Sequence, residues 1–297
     1  MIVITNKGHA QSPIRSSLTE AGCTLFDYSE VDQVNKLEID RVIIFSGMGD
    51  YDRSIVTKTA NSLRDDITVG WWLGDLRKPE EHLHRHSLQN VDYMFVPSLN
   101  WIDKYREYVS NVHHIPQSGY SYNTDKYKYS RCDELDCIFI GNPASTPAGC
   151  WHDNRRTLLS EFHKCSRMGV IHGEMDTRAQ SYIYNNVPIS ISITWPDSIC
   201  YSSNRLYNIL AAGGVAFQNY IPGLEKMFVN HEHLVWYKHQ KEIPELVDHY
   251  LKNTNLIENI RINAKKLYQD KHTGTCRVND INNIMSGKTA SYSHYVK

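Results

Sequence analysis

The sequence predicts an α/β protein made of two doubly wound, Rossmann-like domains facing across a cleft, and three observations carry that expectation. Short apolar runs alternate with helix-length stretches over the first 118 residues, and the same alternation restarts at Cys137. Strands separated by helix-length segments need parallel crossover connections. Between the two series, residues 119–131 hold no aliphatic side chain and no periodicity, the composition of a connector between two cores. The 297 residues suffice for two domains. Their predicted bounds are 1–130 and 131–297, with the last helix packing back on the first domain.

In the first half the runs place strands at 2–5, 24–28, 42–45, 67–73, 93–96 and 112–115. Pro13 suits the first turn of a helix after Lys7-Gly8, Gly22 ends that helix, and Pro97 and Pro116 close strands. In the second half strands fall at 137–140, 170–171, 189–194, 215–217 and 234–237, with a helix over 154–165. Ser203 is placed to cap a helix whose inner face carries Leu206, Ile209 and Leu210, and Gly213-Gly214 to end it in a left-handed turn. Ile257, Ile260, Ala264 and Leu267 form one apolar stripe on a later helix, which reads as core rather than as a cofactor box.

Composition narrows the function classes. Hydrophobic residues make up 41% and charged residues 22%, the profile of an ordered globular chain rather than a disordered one. Lys plus Arg number 32 against 33 Asp plus Glu, a net charge of -1 that gives no global basic field for nucleic acid or anionic lipid. The balance is uneven: residues 1–130 sum to -3 and residues 131–297 to +2, so the second half is the better host for an anion. No apolar run reaches the roughly 18 residues of a membrane span, and the apolar start is too short for a signal peptide. Seven scattered cysteines fit reduced thiols, and the expected location is the cytoplasm, or a host's cytoplasm for a viral chain.

The most informative segment runs Ser202-Ser203-Asn204-Arg205-Leu206-Tyr207-Asn208-Ile209-Leu210-Ala211-Ala212-Gly213-Gly214, then Val215-Ala216-Phe217-Gln218-Asn219-Tyr220-Ile221-Pro222-Gly223. Hydroxyls and an arginine in the first turn of a helix bring backbone N–H groups, the positive dipole end and a planar five-donor fork to one point, which suits a diphosphate. The plainer reading is an N-cap serine beside a solvated arginine.

With its continuation Leu224-Glu225-Lys226-Met227-Phe228, Glu232-His233-Leu234-Val235-Trp236-Tyr237, Ile243-Pro244-Glu245-Leu246 and Lys271-His272-Thr273 with Arg277, and with Phe139-Ile140-Gly141 and 92–98 upstream, this segment resembles the CgeB-like, spore-maturation type glycosyltransferases of the GT-B class. The resemblance covers residues 70–280 and is strongest after 200. It implies a GT-B-like pair of domains, the second holding a nucleotide-sugar and the first presenting the acceptor. By that resemblance the donor diphosphate lies at Ser203 and Arg205, with Gly141 and Asn142 on the opposite loop and Arg155 or Arg156 adding charge. Gly213, Gly214, Gln218, Pro222 and Gly223 line the nucleoside. Related transferases carry a carboxylate where this chain has Asn208, which would accept from the ribose hydroxyls, and Cys200 stands where a second acid would be. The resemblance also implies no bound divalent ion and no other cofactor.

Transfer to a hydroxyl with inversion needs a base, for which Asp75, at the end of a strand, and His9, in the loop after the first strand, are the candidates. Trp71 and Trp72 offer faces for a sugar or base on the acceptor side. Asp75 also reads as a helix N-cap, and His9 as a solvated loop residue. The acceptor classes left open are a glycan, a protein side chain and a hydroxymethylated base of DNA. For the last, Tyr120, Tyr122, Lys126, Tyr127, Lys128, Tyr129 and Arg131 form a basic, aromatic stretch that also reads as a solvated linker. A non-catalytic nucleotide-sugar-binding protein is the alternative, favoured by Asn208. Neither a dinucleotide fingerprint nor a phosphate-loop motif is present, and the histidines and cysteines lack zinc-knuckle spacing, His82, His84 and His86 reading as a solvated face.

Overall fold

The computed structural model describes residues 1–6, 13–46, 53–74, 88–122, 124, 132–143, 151–172, 175–195 and 197–290. The chain divides into two compact units. Unit 1 is Met1–Gln117, Ile199–Tyr201 and Gly274–Lys297; unit 2 is Ser118–Ser198 and Ser202–Thr273.

Among the described residues, unit 1 is built on strands β1 (Ile2–Ile4), β2 (Thr24–Phe26), β3 (Arg41–Ser46), β4 (Thr68–Leu73), β5 (Tyr93–Val96) and β6 (Asn111–His114). They pair in parallel in the order β2-β1-β3-β4-β5-β6. The side-chain period of two divides each strand between two cores. Val42, Ile44, Val69, Trp71, Met94 and Val96 face one core, while Val3, Ile43, Phe45, Trp72 and Phe95 face the other. Its helices include α1 (Pro13–Glu20), α2 (Val31–Val34), α3 (Arg53–Ser62) and α4 (Ile102–Tyr105); α1 starts at the proline the sequence marks, and Gly22, at φ +75°, ends its turn.

Unit 2 repeats the plan with strands β7 (Cys137–Ile140), β8 (Met168–Ile171), β9 (Ile189–Ser192), β10 (Ala216–Asn219) and β11 (Val235–Tyr237), all parallel, in the order β11-β10-β9-β7-β8. Its helices include α5 (Trp151–Cys165), α6 (Thr177–Asn186), α7 (Asn204–Ala212), α8 (Ile243–Lys252) and α9 (Thr254–Lys271). In this order the chain leaves β7 toward β8 and returns to the other side at β9. The winding therefore reverses between β7 and β9, and open α/β sheets bind ligands at the strand C-termini beside such a reversal. On α9 the buried stripe is Ile257, Ile260, Ala264 and Tyr268, so Tyr268 takes the place read for Leu267.

Residues 118–122 are not a free connector. Tyr120 N–H donates to Asn208 Oδ1 (3.0 Å), Ser121 Oγ to the Ala211 carbonyl (2.8 Å) and Tyr122 N–H to Ser181 Oγ (3.1 Å), while the Gly119 carbonyl accepts from Tyr268 Oη (2.6 Å). A β-carbon on Gly119 would overlap the backbone of Tyr207. The main chain is laid on α7 here, and at Gly119 it leaves no room for a side chain. Lys126, Tyr127, Lys128, Tyr129 and Arg131 lie outside the described residues.

The C-terminal helix α10 (Gly274–Met285) belongs to unit 1, where Val278, Ile281 and Met285 join the core with Leu18 and Phe95. Its fully buried Arg277 donates from Nε to the carbonyls of Pro116 (2.9 Å) and Gln117 (3.1 Å). Among the described residues no helix is long and apolar enough to cross a membrane.

Candidate functional site in the second unit

The reversal point in unit 2 is occupied by Arg205, one residue into α7. Its Nε donates to the Ile140 carbonyl at the end of β7 (2.8 Å), and Nη1 approaches the Ile193 carbonyl just past β9 (3.4 Å). The guanidinium carbon stands 4.6 Å from the centre of the Phe139 ring, a cation–π distance. Arg155, from α5, donates to the Asn142 carbonyl (2.8 Å) and stands 5.9 Å from the same ring. Two guanidiniums are thus gathered around one phenyl group, each anchored to the loop after β7. Gly141 turns that loop at φ +146°, and a β-carbon there would overlap Arg205 Nη2. Asn142 Oδ1 meets His172 Nε2 at 3.2 Å.

The start of α7 adds unpartnered polar atoms. Ser203 holds the N-cap position with extended backbone (φ -69°, ψ 161°), but its hydroxyl makes no capping bond, contrary to the sequence expectation. Ser202 Oγ, Ser203 Oγ, Asn204 Oδ1 and, past β9, Thr194 Oγ1 are buried without a hydrogen-bond partner among the described residues. Buried polar atoms are ordinarily satisfied, so orphans gathered at a helix start mark a place for a polar ligand. Tyr184, on α6, adds a buried phenol that burial pushes up to about 12 against the lowering pull of the Arg205 charge. It therefore stays protonated at neutral pH.

Several residues read as site members lie elsewhere. Gly213 and Gly214 end α7, roughly 15 Å along the helix from Ser203 at about 1.5 Å per residue. Gly213 supplies the left-handed cap (φ +77°), and a β-carbon on Gly214 would lie 2.6 Å from the Tyr184 carbonyl, so they serve the cap and the packing at the end of α7 away from Ser203. Trp71 and Trp72 are core: Trp71 donates to Ser46 Oγ (2.8 Å), and Trp72, 1% exposed, packs edge-on against Phe45 at 5.2 Å. Both belong to a strand buried on two faces, which the alternation of one aromatic pair does not reveal. Asn208 is buried with its carbonyl oxygen on Tyr120 N–H, a structural task that the ribose reading did not foresee.

Gln218 is fully buried, its amide nitrogen donating to Asn219, and Asn219 in turn clamps the Thr194 backbone (2.7 and 2.9 Å). Pro222 is exposed, and Gly223, at φ +90°, turns the chain into a short 3₁₀ helix. Arg156 is exposed on α5. His9, Asp75, His82, His84 and His86 lie outside the described residues. Among the described residues no group of His, Cys, Asp and Glu is placed to hold a metal ion. Reading the sequence missed Phe139 as the platform, Thr194 and Tyr184; the aromatic within the Phe139-Ile140-Gly141 strand end was the available signal.

A family model described as glycosyl transferase-like matches residues 169–283, which include α7 and its flanking strands. HepE of Anabaena in complex with UDP and glucose superposes with TM-score 0.61 at 10% identity, over 96% of this chain and 99% of that one. The fold is GT-B-like. An α-glucosyltransferase in complex with UDP and DNA containing an HMU base gives TM-score 0.63 at 10% identity, over 96% and 99%. Sucrose-phosphate synthase of Thermosynechococcus elongatus gives 0.57 at 9%, with the same coverage. No curated protein matches the sequence significantly. In GT-B-like terms, Arg205 and the start of α7 stand at the C-terminal ends of the second sheet's strands.

Proposed function

We propose that the chain is a CgeB-like glycosyltransferase that moves a sugar from a nucleotide-sugar to a hydroxyl acceptor. The observation that carries this reading is the gathering of Arg155 and Arg205 around Phe139, beside unpartnered hydroxyls at the start of α7. A diphosphate supplies charge and acceptor oxygens together, which suits two guanidiniums gathered near one ring. As the bond between the anomeric carbon and the diphosphate oxygen breaks, negative charge grows on the leaving group, where the Arg205 fork and the dipole of α7 stabilise it. These groups take the part that a divalent ion plays elsewhere, so no metal is required. If the anomeric centre inverts, Asp75, or else His9, takes the proton from the acceptor hydroxyl.

Uridine is the first base to test, because HepE was solved with UDP-glucose. The acceptor is a glycan, a protein hydroxyl or a hydroxymethylated base of DNA, and the DNA complex of a like-folded glucosyltransferase supports including the last. The test is a thermal-shift screen over sugar nucleotides, followed by an assay for nucleoside diphosphate release. A donor that raises the melting temperature and is turned over supports transfer. Binding without turnover favours a nucleotide-sugar-binding protein, the role that Asn208 in place of a carboxylate also fits.

A further inference from the structure

Residues Ile199–Tyr201 belong to unit 1, although the chain on either side of them belongs to unit 2. Within unit 1 this three-residue plug is tied down along its backbone. Leu99 N–H (3.0 Å) and Ser98 Oγ (2.9 Å) both donate to the Ile199 carbonyl, and Ile199 N–H donates to Asn100 Oδ1 (2.6 Å). His114 Nε2, at the end of β6, lies 3.1 Å from the Cys200 carbonyl and 3.2 Å from the Pro97 carbonyl. Carbonyl oxygens only accept, so Nε2 carries the hydrogen and is shared between the two. Cys200 is held at φ +54°, a left-handed conformation that disfavours any residue with a β-carbon and persists only where the surroundings impose it. Ser202 and Ser203 follow directly.

We infer that His114 is a positioning residue: by holding the Cys200 carbonyl it fixes the left-handed turn from which Ser202 and Ser203 enter α7. The inference rests on the donor-site reading for its functional consequence, though not for the contact itself. The imidazole suits the task because burial holds it neutral, with one nitrogen free to donate steadily through the neutral range. The plug explains why Cys200, a residue without a chemical role in the site, sits in a strained conformation two residues before the hydroxyls that lack partners.

The test is hydrogen exchange across residues 197–206 in the full-length protein, for wild type, His114→Ala, His114→Gln, Asn100→Ala and Cys200→Gly, with UDP affinity measured on the same samples. His114→Ala is expected to speed exchange in that stretch at least about tenfold, with β9 unaffected, and to weaken UDP by about tenfold. His114→Gln, which restores an N–H donor, and Cys200→Gly, which adopts the turn without strain, are expected to stay near wild type. Should His114→Ala fail to fold, Asn100→Ala carries the same expectation. Unchanged exchange over 197–206 in the alanine variants overturns the inference. If the wild type binds neither UDP nor any other sugar nucleotide, the donor-site reading falls, and the exchange data still decide what His114 holds.

Discussion

Gly141 and Arg205 occupy adjoining space so closely that a β-carbon on the first would overlap Nη2 of the second. The loop after β7 turns at φ +146° there, in a region that only glycine enters without strain. Gly141→Ala therefore both strains the loop and displaces the guanidinium. The expected outcome is a loss of about 1–2 kcal/mol in folding stability and a fall of about tenfold or more in sugar-nucleotide affinity, measured by urea unfolding and calorimetry. Unchanged affinity would place the anion away from Arg205.

Trp72, which reads from sequence as an acceptor platform, is packed against Phe45 within the core that α10 completes. Trp72→Ala is expected to cost about 3–5 kcal/mol of stability through the cavity it leaves. A variant of wild-type stability with weakened acceptor binding would restore the platform reading.

Asn208 and Tyr120 make a second separable case. Asn208→Leu leaves the Tyr120 N–H without its acceptor and is expected to destabilise unit 2 by about 1–3 kcal/mol, whereas Asn208→Asp keeps an acceptor and costs less. Comparing donor affinity for ribose and 2′-deoxyribose nucleotides shows whether the same side chain also touches sugar hydroxyls. A leucine variant as stable as wild type would remove the strap from the account.

His114 gives a pH dependence with a definite sign. Burial lowers its pKa from 6.5 to about 4, with the Arg277 charge pulling the same way and the Pro97 and Cys200 carbonyls opposing. The unfolded chain binds the proton first as pH falls, so this contribution is complete above about pH 6.5 and is lost progressively toward pH 4, amounting to about 3 kcal/mol. Urea unfolding at intervals from pH 7 to pH 4 measures it, and His114→Gln is expected to flatten that part of the slope. An equal slope in the glutamine variant would assign it to other groups.

Much of the fold was legible because parallel strands buried on both faces leave continuous apolar runs, such as Val42 to Phe45 and Cys137 to Ile140, and because Pro13, Gly22 and Gly213 mark the ends of helices. Strand ends shifted by one or two residues where pairing, not hydrophobicity, sets the limit, as at Asn219. The helix start at Ser203 was legible, and the reading of an anion beside Ser203 and Arg205 could be made there because its donors are local in sequence. Contacts made across long sequence separation were not. Nothing near Asn208 shows that the Tyr120 N–H lies 3.0 Å away, nothing near Cys200 points to His114, and the core around Trp72 is completed by α10, far along the chain.

The most direct measurement is calorimetric binding of UDP and of the best sugar nucleotide from the thermal-shift screen to wild type and to Arg205→Ala. The expected result is one site on the wild type and a loss of about 100-fold in affinity for both ligands in the variant, as a bidentate charged contact to a diphosphate is removed. Equal affinity in the two proteins, with the variant folded, would contradict the placement of the donor diphosphate at the start of α7.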